Sequence, residues 1–193
     1  RAQYGAAAGR PELGAAPYKL VAHLENGRSV FSFCMCPGGE VVAAASEPGH
    51  LCVNGASLNA RAGRNANAAL LVNVTPEDLP SEDPLAGIAL QRACEHEAWC
   101  LGGKTWKAPA QLVGDFLAQR PSTGPGKIKP TYPLGVTWTQ IDSALPDHIV
   151  ESLRLGLPAL GRKLHGYDRA DAVLTGVETR SSSPVTIVRE RTC

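Results

Sequence analysis

The feature that most restricts the fold of this chain is a predicted β-hairpin near its start. Apolar and polar residues alternate over residues 18–25, and the dipeptide Asn26-Gly27, the strongest short signal for a two-residue hairpin turn, follows directly. Alternation then resumes over residues 29–35, with Phe31, Phe33 and Met35 on one face. The sequence therefore predicts an antiparallel hairpin over residues 18–35.

The rest of the chain mixes strand and helix signals. Strands are predicted near residues 40–46, 50–53, 68–74, 172–179 and 184–190, the first two joining the hairpin in an antiparallel meander. Capping residues and glycine stops predict two main helices, at 84–101 and 146–164, the second kinked or divided at Pro158. A short helix started by Pro109 is expected over 108–119. The predicted fold class is α+β: an antiparallel or mixed sheet packed with two main helices.

The first main helix has an apolar stripe that ends in a carboxylate. Its spacing predicts a buried face formed by Ala86, Ala89, Leu90, Ala93 and Cys94. The next position of that face holds Glu97, which is interpreted as an acid at the end of the stripe, with a functional acid as the alternative.

Composition limits the class of protein. The chain has 193 residues, enough for one domain, in which residues 1–17 are an irregular lead-in. A net charge of +1 does not suggest nucleic-acid binding, and neither a membrane-spanning run nor a signal peptide is present in these residues. Six cysteines are too few for a disulfide scaffold of this size, which favours free thiols in a cytoplasmic protein.

Two polar segments are candidate binding sites. Residues 175–184, between two β-branched runs, carry Glu178, Arg180 and several hydroxyls, which can bind an anion or the polar edge of a ring. The alternative is a polar turn that bonds only to itself. Residues 54–67, rich in Asn and Arg, are either a solvated loop or a loop that faces a ligand.

Motifs for metal, hydrolytic or dinucleotide chemistry are absent from the sequence. The Cys34-Met35-Cys36 pair has no second closely spaced pair to complete a metal site, so no metal is predicted and inert thiols are favoured. A hydrolase that uses Cys34 or Cys36 as nucleophile is the weakest alternative, because the sequence places no base beside either thiol. No G-x-G-x-x-G follows a strand, so these residues alone do not build the standard dinucleotide cradle.

Three stretches together resemble one family. They are residues 31–42 (FSFCMCPGGEVV), residues 53–57 (VNGAS) with Arg61 and residues 63–70, and residues 175–184 (TGVETRSSSP). They are similar to the uncharacterised FAD-dependent dehydrogenases, also called NAD(FAD)-utilising dehydrogenases. One departure is Ala56, where that family more usually carries Met.

The resemblance implies a substrate-binding or cap domain, spanning 1–193, inserted between the halves of an FAD-binding Rossmann domain of the same polypeptide. The domain would cover the flavin ring, while the isolated chain would be inactive and bind no FAD tightly. The implied cofactor-facing residues are Cys36, Pro37, Gly38, Gly39, Glu178, Thr179, Arg180, Ser181, Ser182 and Ser183. The implied substrate-binding residues are Arg61, Asn65, Asn67 and Arg180. No catalytic residue is assigned, and a free-standing module that binds a ligand or a protein is the alternative.

Overall fold

The computed structural model describes residues 5–7, 9–13 and 20–188. Within these residues the chain forms a mixed α+β fold with two main helices, as predicted from the sequence. The lead-in shows a single 3₁₀ turn, Gly5–Ala7, in its described part. The strands form three small sheets rather than one.

The first sheet contains the predicted hairpin. Strands β1 (Leu20–His23) and β2 (Ser29–Cys36) pair in antiparallel fashion, and β5 (Asn67–Val72) pairs with the other edge of β2. At the turn, the Leu24 N–H donates to the Arg28 carbonyl at 2.8 Å, and Gly27 takes the positive φ of +80° that the turn requires. The hairpin prediction is confirmed over residues 20–35, and its first two residues, 18 and 19, lie outside the described part.

The predicted meander is wrong, because the chain leaves this sheet after β2. Strands β3 (Gly39–Ala43) and β4 (Val53–Ser57) form a separate antiparallel ribbon, and β5, not β3, pairs with β2. The predicted strand 50–53 is wrong over residues 50–52, which are irregular. The strand β4 begins only at Val53 and continues into residues that were expected to form a loop. Pairing with β3 overrides the turn preference of Asn54 and Gly55.

The third sheet replaces the predicted short helix. Residues 108–119 form β6 (Ala108–Leu112) and a brief helix α2 (Val113–Leu117), so the prediction of one helix is wrong at its start. β6 lies between β7 (Val136–Trp138), which is parallel to it, and β8 (Val173–Thr175), which is antiparallel. β7 was not predicted. The predicted strand at 184–190 is also wrong over residues 184–188, which are irregular, and its last two residues lie outside the described part.

The two main helices end close to their predicted limits. α1 spans Ala86–Leu101 and α3 spans Asp147–Lys163, and α3 continues through Pro158 without the predicted break. The buried face of α1 differs from the predicted stripe, because Ala89 and Ala93 are exposed. Its buried residues are Ala86, Cys94, Glu95 and Ala98.

Two apolar clusters fill the interior. The first packs one face of the β1–β2–β5 sheet against α3 and α2, with Val30, Phe116, Leu157 and Leu160 fully buried. The second joins α1, β4 and β6 through residues that include Leu51, Val53, Ala98 and Ala108.

Candidate functional site

A large cavity lies within the described chain. Its volume is about 1140 Å³, slightly larger than most small-molecule sites. Residues from β5, β4, α1 and the segment after β8 line it, and most of the side chains are apolar. Phe31 and Met35 of β2 face it, so the apolar face expected for the hairpin lines the cavity here, while Phe33 is 45% exposed.

One side of the cavity is formed by residues 178–183, which we call the polar wall. The Val53 N–H of β4 donates to the Val177 carbonyl at 2.9 Å and fixes the start of this segment. Gln91 of α1 donates from Nε2 to the backbone carbonyls of Thr179 (2.7 Å) and Ser182 (3.3 Å). The polar wall is therefore held by β4 and α1, although it has no regular secondary structure of its own.

A buried ion pair also fixes the polar wall. Glu95 of α1 is 1% exposed, and Arg180 binds it with two hydrogen bonds, Nε to Oε1 at 2.7 Å and Nη2 to Oε2 at 2.5 Å. Thr179 donates its hydroxyl to the same carboxylate, and Arg180 Nη1 donates to the hydroxyl of Ser46. Burial raises the pKa of Glu95, but the bonds from Arg180 and Thr179 outweigh it and hold that pKa below its usual value. The guanidinium of Arg180 therefore binds a carboxylate of the protein itself, Glu95.

Glu178 has the opposite environment. It lines the cavity, is partly buried, and no hydrogen bond or ion pair joins it to another residue of the described chain. Burial raises the pKa of its carboxyl group. Glu178 is the one carboxylate among the described residues that line the cavity.

The turn at residues 36–39 packs against the protein itself. Gly38 has a φ of +58°, and a Cβ there would lie 2.2 Å from the backbone of Arg61. The Gly63 N–H donates to the Gly38 carbonyl at 3.2 Å, and the Gly39 N–H donates to the Asn65 carbonyl at 3.1 Å. The close approach that two glycines permit is used here by residues 61–65.

Asn67 has a buried polar atom without a partner. Its Nδ2 has no hydrogen-bond acceptor in the described chain, and its Oδ1 lies where a Cβ on Gly55 would be, at 2.1 Å. The residue lines the cavity together with Asn65, whose Nδ2 donates to the Lys129 carbonyl at 2.7 Å. Such a group costs free energy unless a ligand or water supplies the acceptor.

The structure divides the predicted site residues into two groups. Those that line the cavity are Asn65, Asn67, Glu178, Thr179, Ser181, Ser182 and Ser183. Those outside the lining are Cys36, Pro37, Gly38, Gly39, Arg61 and Arg180.

The turn at 36–39 and Arg180 lie toward opposite ends of the β3–β4 ribbon. Gly39 pairs with Ser57 at one end, and Ala43 pairs with Val53 at the other, next to Val177 and close to Ser46. Four residues of strand separate these ends by about 13 Å.

Two residues that fix the polar wall, Gln91 and Glu95, were not among the predicted site residues. The acid that the sequence pattern of α1 suggested, Glu97, is exposed. The signal that could have identified them is the spacing of Gln91 and Glu95, four residues apart on α1, next to the small residue Ala98.

The thiols form no metal-binding group in the described residues, and one of them, Cys100, lies 3.7 Å from Nε2 of His96. No cluster of three His, Cys, Asp or Glu side chains there could hold a metal ion. Cys34 is exposed, and Cys36 donates to the Cys34 carbonyl at 3.2 Å. Burial raises the pKa of the Cys94 thiol to about 11 and also raises that of Cys52. In the same residues, every helix is too short or too polar to cross a bilayer.

Comparison with known proteins gives the family. A model described as "FAD-dependent protein, C-terminal domain-like" matches residues 1–181. A protein of Clostridium beijerinckii, described as uncharacterised, is 50% identical over 188 residues, which cover 97% of this chain and 35% of the relative. The chain thus spans about a third of that relative's length. Because the family model covers nearly all of it, the chain belongs to the family of FAD-dependent protein, C-terminal domain-like sequences.

Proposed function

We propose that this chain is the substrate-binding or cap domain of an FAD-dependent oxidoreductase, and that it covers the flavin ring held by another part of the same polypeptide. The observation that carries the proposal is the apolar cavity with two polar groups in its lining, Nδ2 of Asn67 and the carboxyl group of Glu178, that have no partner among the described residues. The family membership and the small share of the relative that the chain covers support it.

The residues present fit the isoalloxazine ring of FAD but not its pyrophosphate. The sequence has no glycine-rich turn between a strand and a helix, so it offers no standard site for the pyrophosphate. The cavity wall fits the ring, because its apolar side chains suit a flat aromatic surface and Asn67 Nδ2 is a buried donor with no acceptor in the part of the chain that the structure describes. FAD, when bound to the whole protein, would supply the redox chemistry.

The roles of the site residues follow from their contacts. Asn65, Asn67, Glu178, Thr179 and residues 181–183 would face the substrate or the ring across the cavity. Arg180, because its guanidinium is bonded to Glu95, would position the polar wall rather than bind an anion. The turn at 36–39 and Arg61 would act indirectly, by fixing the backbone that presents Asn65 and Asn67.

The test is the absorption spectrum of the Clostridium beijerinckii relative in full length and of this chain alone. We expect the relative to be yellow after reconstitution with FAD and this chain to be colourless under the same conditions. A relative that stays colourless would overturn the proposal.

The place of the domain within a longer polypeptide is part of the proposal. Insertion between two halves of an FAD-binding domain requires a strand, a G-x-G-x-x-G turn and a helix before the matching region of the relative. It also requires a glycine-rich segment after that region. The sequence of the relative on both sides of the match decides this point.

A second candidate is a free-standing module that binds a ligand or a protein without redox chemistry. The observation that favours it is that a cavity of this size is lined by residues of this chain alone. In that case the relative would bind the ligand and remain colourless with FAD.

A further inference from the structure

We infer that the cavity selects neutral, mainly apolar molecules that carry both a carbonyl-type acceptor and an N–H or O–H donor, with Asn67 and Glu178 as the two groups that recognise them. The inference deepens the proposed function and rests on it in taking the cavity as the substrate space. Aromatic lactams and imides have this chemistry, and so does the edge of an isoalloxazine ring.

The first step is that the two groups lie beside the same short stretch of β4. The Val53 N–H bonds the Val177 carbonyl, directly before Glu178, and the Asn67 amide packs on Gly55. Val53 and Gly55 are two residues apart, about 7 Å along a strand. A molecule of a few rings can therefore reach the surroundings of both groups from one position.

The second step is that both groups lack a partner in the described chain. The Nδ2 atom of Asn67 is buried with two hydrogens to donate and no acceptor. Glu178 can accept when ionised, and its pKa is raised by burial, so it gains from a donor that comes with the ligand. The missing bonds of the protein thus define one acceptor and one donor on the ligand.

The third step concerns charge. The lining also includes three basic residues, Lys129, His165 and Arg169. Lys129 donates to the Gly126 carbonyl at 3.3 Å, and Arg169 holds Asp171 through two hydrogen bonds of 2.9 Å. Within the described residues only Arg169 of these three is paired with an acid, Asp171, so the expected repulsion is confined to the position next to Glu178: an anionic ligand group placed there would meet the negative charge of Glu178 directly.

The experiment is a calorimetric titration of the full 193-residue chain with four probes. 2-Quinolinone carries an acceptor and a donor, naphthalene carries neither, 2-naphthoate is an anion, and lumiflavin is a flavin ring without phosphate. We expect 2-quinolinone to bind at least tenfold more tightly than naphthalene and 2-naphthoate. Equal or tighter binding of either of those two would overturn the inference.

Variants locate the binding. Asn67→Asp removes the donor with little change of shape, and Glu178→Gln removes the charge, and each is expected to weaken 2-quinolinone about tenfold. Asn59→Asp and Glu97→Gln make the same changes at exposed residues outside the lining and are expected to leave its affinity unchanged. Naphthalene affinity should not respond to any of the four. Variants at 67 and 178 that bind 2-quinolinone like the unmodified chain would overturn the inference.

The lumiflavin arm separates the two sources of this chemistry. If lumiflavin competes with 2-quinolinone and responds to the same variants, the two groups recognise the flavin ring; if it does not compete, they recognise the substrate. The inference and the proposed function fail separately. A yellow relative with no binding of 2-quinolinone or lumiflavin to this chain removes the inference alone, whereas a colourless relative with selective 2-quinolinone binding removes only the flavin role.

Discussion

At the scale of single residues, Glu95 and Arg180 show how a polar wall without regular structure is kept in place. Glu95 is 1% exposed, whereas the Arg180 side chain is 35% exposed, so the acid carries most of the desolvation cost of the pair. Removing the arginine would leave a buried carboxylate with a single side-chain partner, Thr179. The cost should then appear as lost stability and as movement of the wall.

We expect Arg180→Met to lower the free energy of unfolding by about 3 kcal/mol at pH 7, because Glu95 is left buried without its cation. Urea denaturation measures this value. The loss should shrink as the pH falls and protonation neutralises Glu95. Arg92→Met is the control. Arg92 lies on α1, as Glu95 does, but its pair with Glu47 is exposed and should contribute less than about 1 kcal/mol. Equal losses in the two variants would contradict the assignment.

At the scale of elements, α3 lies against the first sheet with no space for a side chain at Gly156. A Cβ there would lie 2.4 Å from Cγ2 of Val30, in β2, the central strand of that sheet. The same contact explains why a glycine is tolerated inside this helix, where it is normally unfavourable. Close packing at this point sets how near the helix approaches the sheet.

Gly156→Ala is expected to destabilise the chain by about 1–3 kcal/mol, because the added methyl group overpacks the core. Gly124→Ala is the control, since nothing lies within 4 Å of a Cβ at that glycine. Thermal unfolding compares them. In the double variant Val30→Ala/Gly156→Ala, the smaller side chain at position 30 makes room for the new methyl group. Its loss of stability should therefore be smaller than the sum of the two single losses, and losses that simply add would contradict this contact.

A second connection between elements depends on pH. Asp78, in the 3₁₀ turn Pro76–Asp78, accepts two hydrogen bonds from Arg28 at the hairpin turn, at 2.9 and 2.5 Å. The bonds from Arg28 hold the pKa of Asp78 well below its usual value. The pair therefore stabilises the fold fully above the unfolded pKa near 4, and this contribution is lost as the pH falls through the lower folded value.

Asp78→Asn should accordingly cost about 2 kcal/mol at pH 7, and the difference from the unmodified chain should narrow steadily below about pH 4. Urea denaturation at a series of pH values from about 2 to about 7, a range that spans the pKa of about 4 of a free carboxyl group, measures this difference in the free energy of unfolding. Asp171→Asn, in an exposed pair with Arg169, should show little difference at any pH. A difference that kept its full pH 7 size down to the acid end would rule out Asp78 as its source.

At the scale of the whole molecule, local signals predicted the elements better than their arrangement. The hairpin and both main helices depend on turn and cap residues that act within a few positions. β6 and β4 depend on distant partners instead. Pro109 is tolerated inside β6 because the sheet requires no N–H from it. Ala108 and Ala110 make the hydrogen bonds on the side of β7, and on the side of β8 Pro109 contributes only its carbonyl, which accepts from the Gly176 N–H.

The candidate site was also predictable only in part, because the sequence shows local composition but not contacts between distant residues. Composition identified residues 178–183 and the Asn-rich loop, since hydroxyls, amides and charges stand out in sequence. It could not reveal that Arg180 is bonded to Glu95, 85 positions away, or that Gly38 of the 36–39 turn is covered by Arg61. Those contacts arise only when α1, β4 and the segment after β8 come together.

The second apolar cluster predicts a labelling pattern for the thiols. Cys52 and Cys94 are buried, with pKa values raised by burial, whereas Cys34 is exposed. We expect iodoacetamide to modify Cys34 in the folded chain and to reach Cys52 and Cys94 only when urea unfolds it. Peptide mass spectrometry after timed quenching assigns each site. Labelling of Cys94 at the rate of Cys34 without urea would show that this cluster opens.

The way Gln91 holds the polar wall bears on how such domains diversify. Its amide binds the backbone carbonyls of Thr179 and Ser182, which every residue type possesses, rather than their side chains. Within the described chain, the hydroxyls of Ser181 and Ser182 hold no other group in place. Evolution, or a designer, can therefore exchange these two serines to alter ligand preference while the scaffold that presents them stays intact.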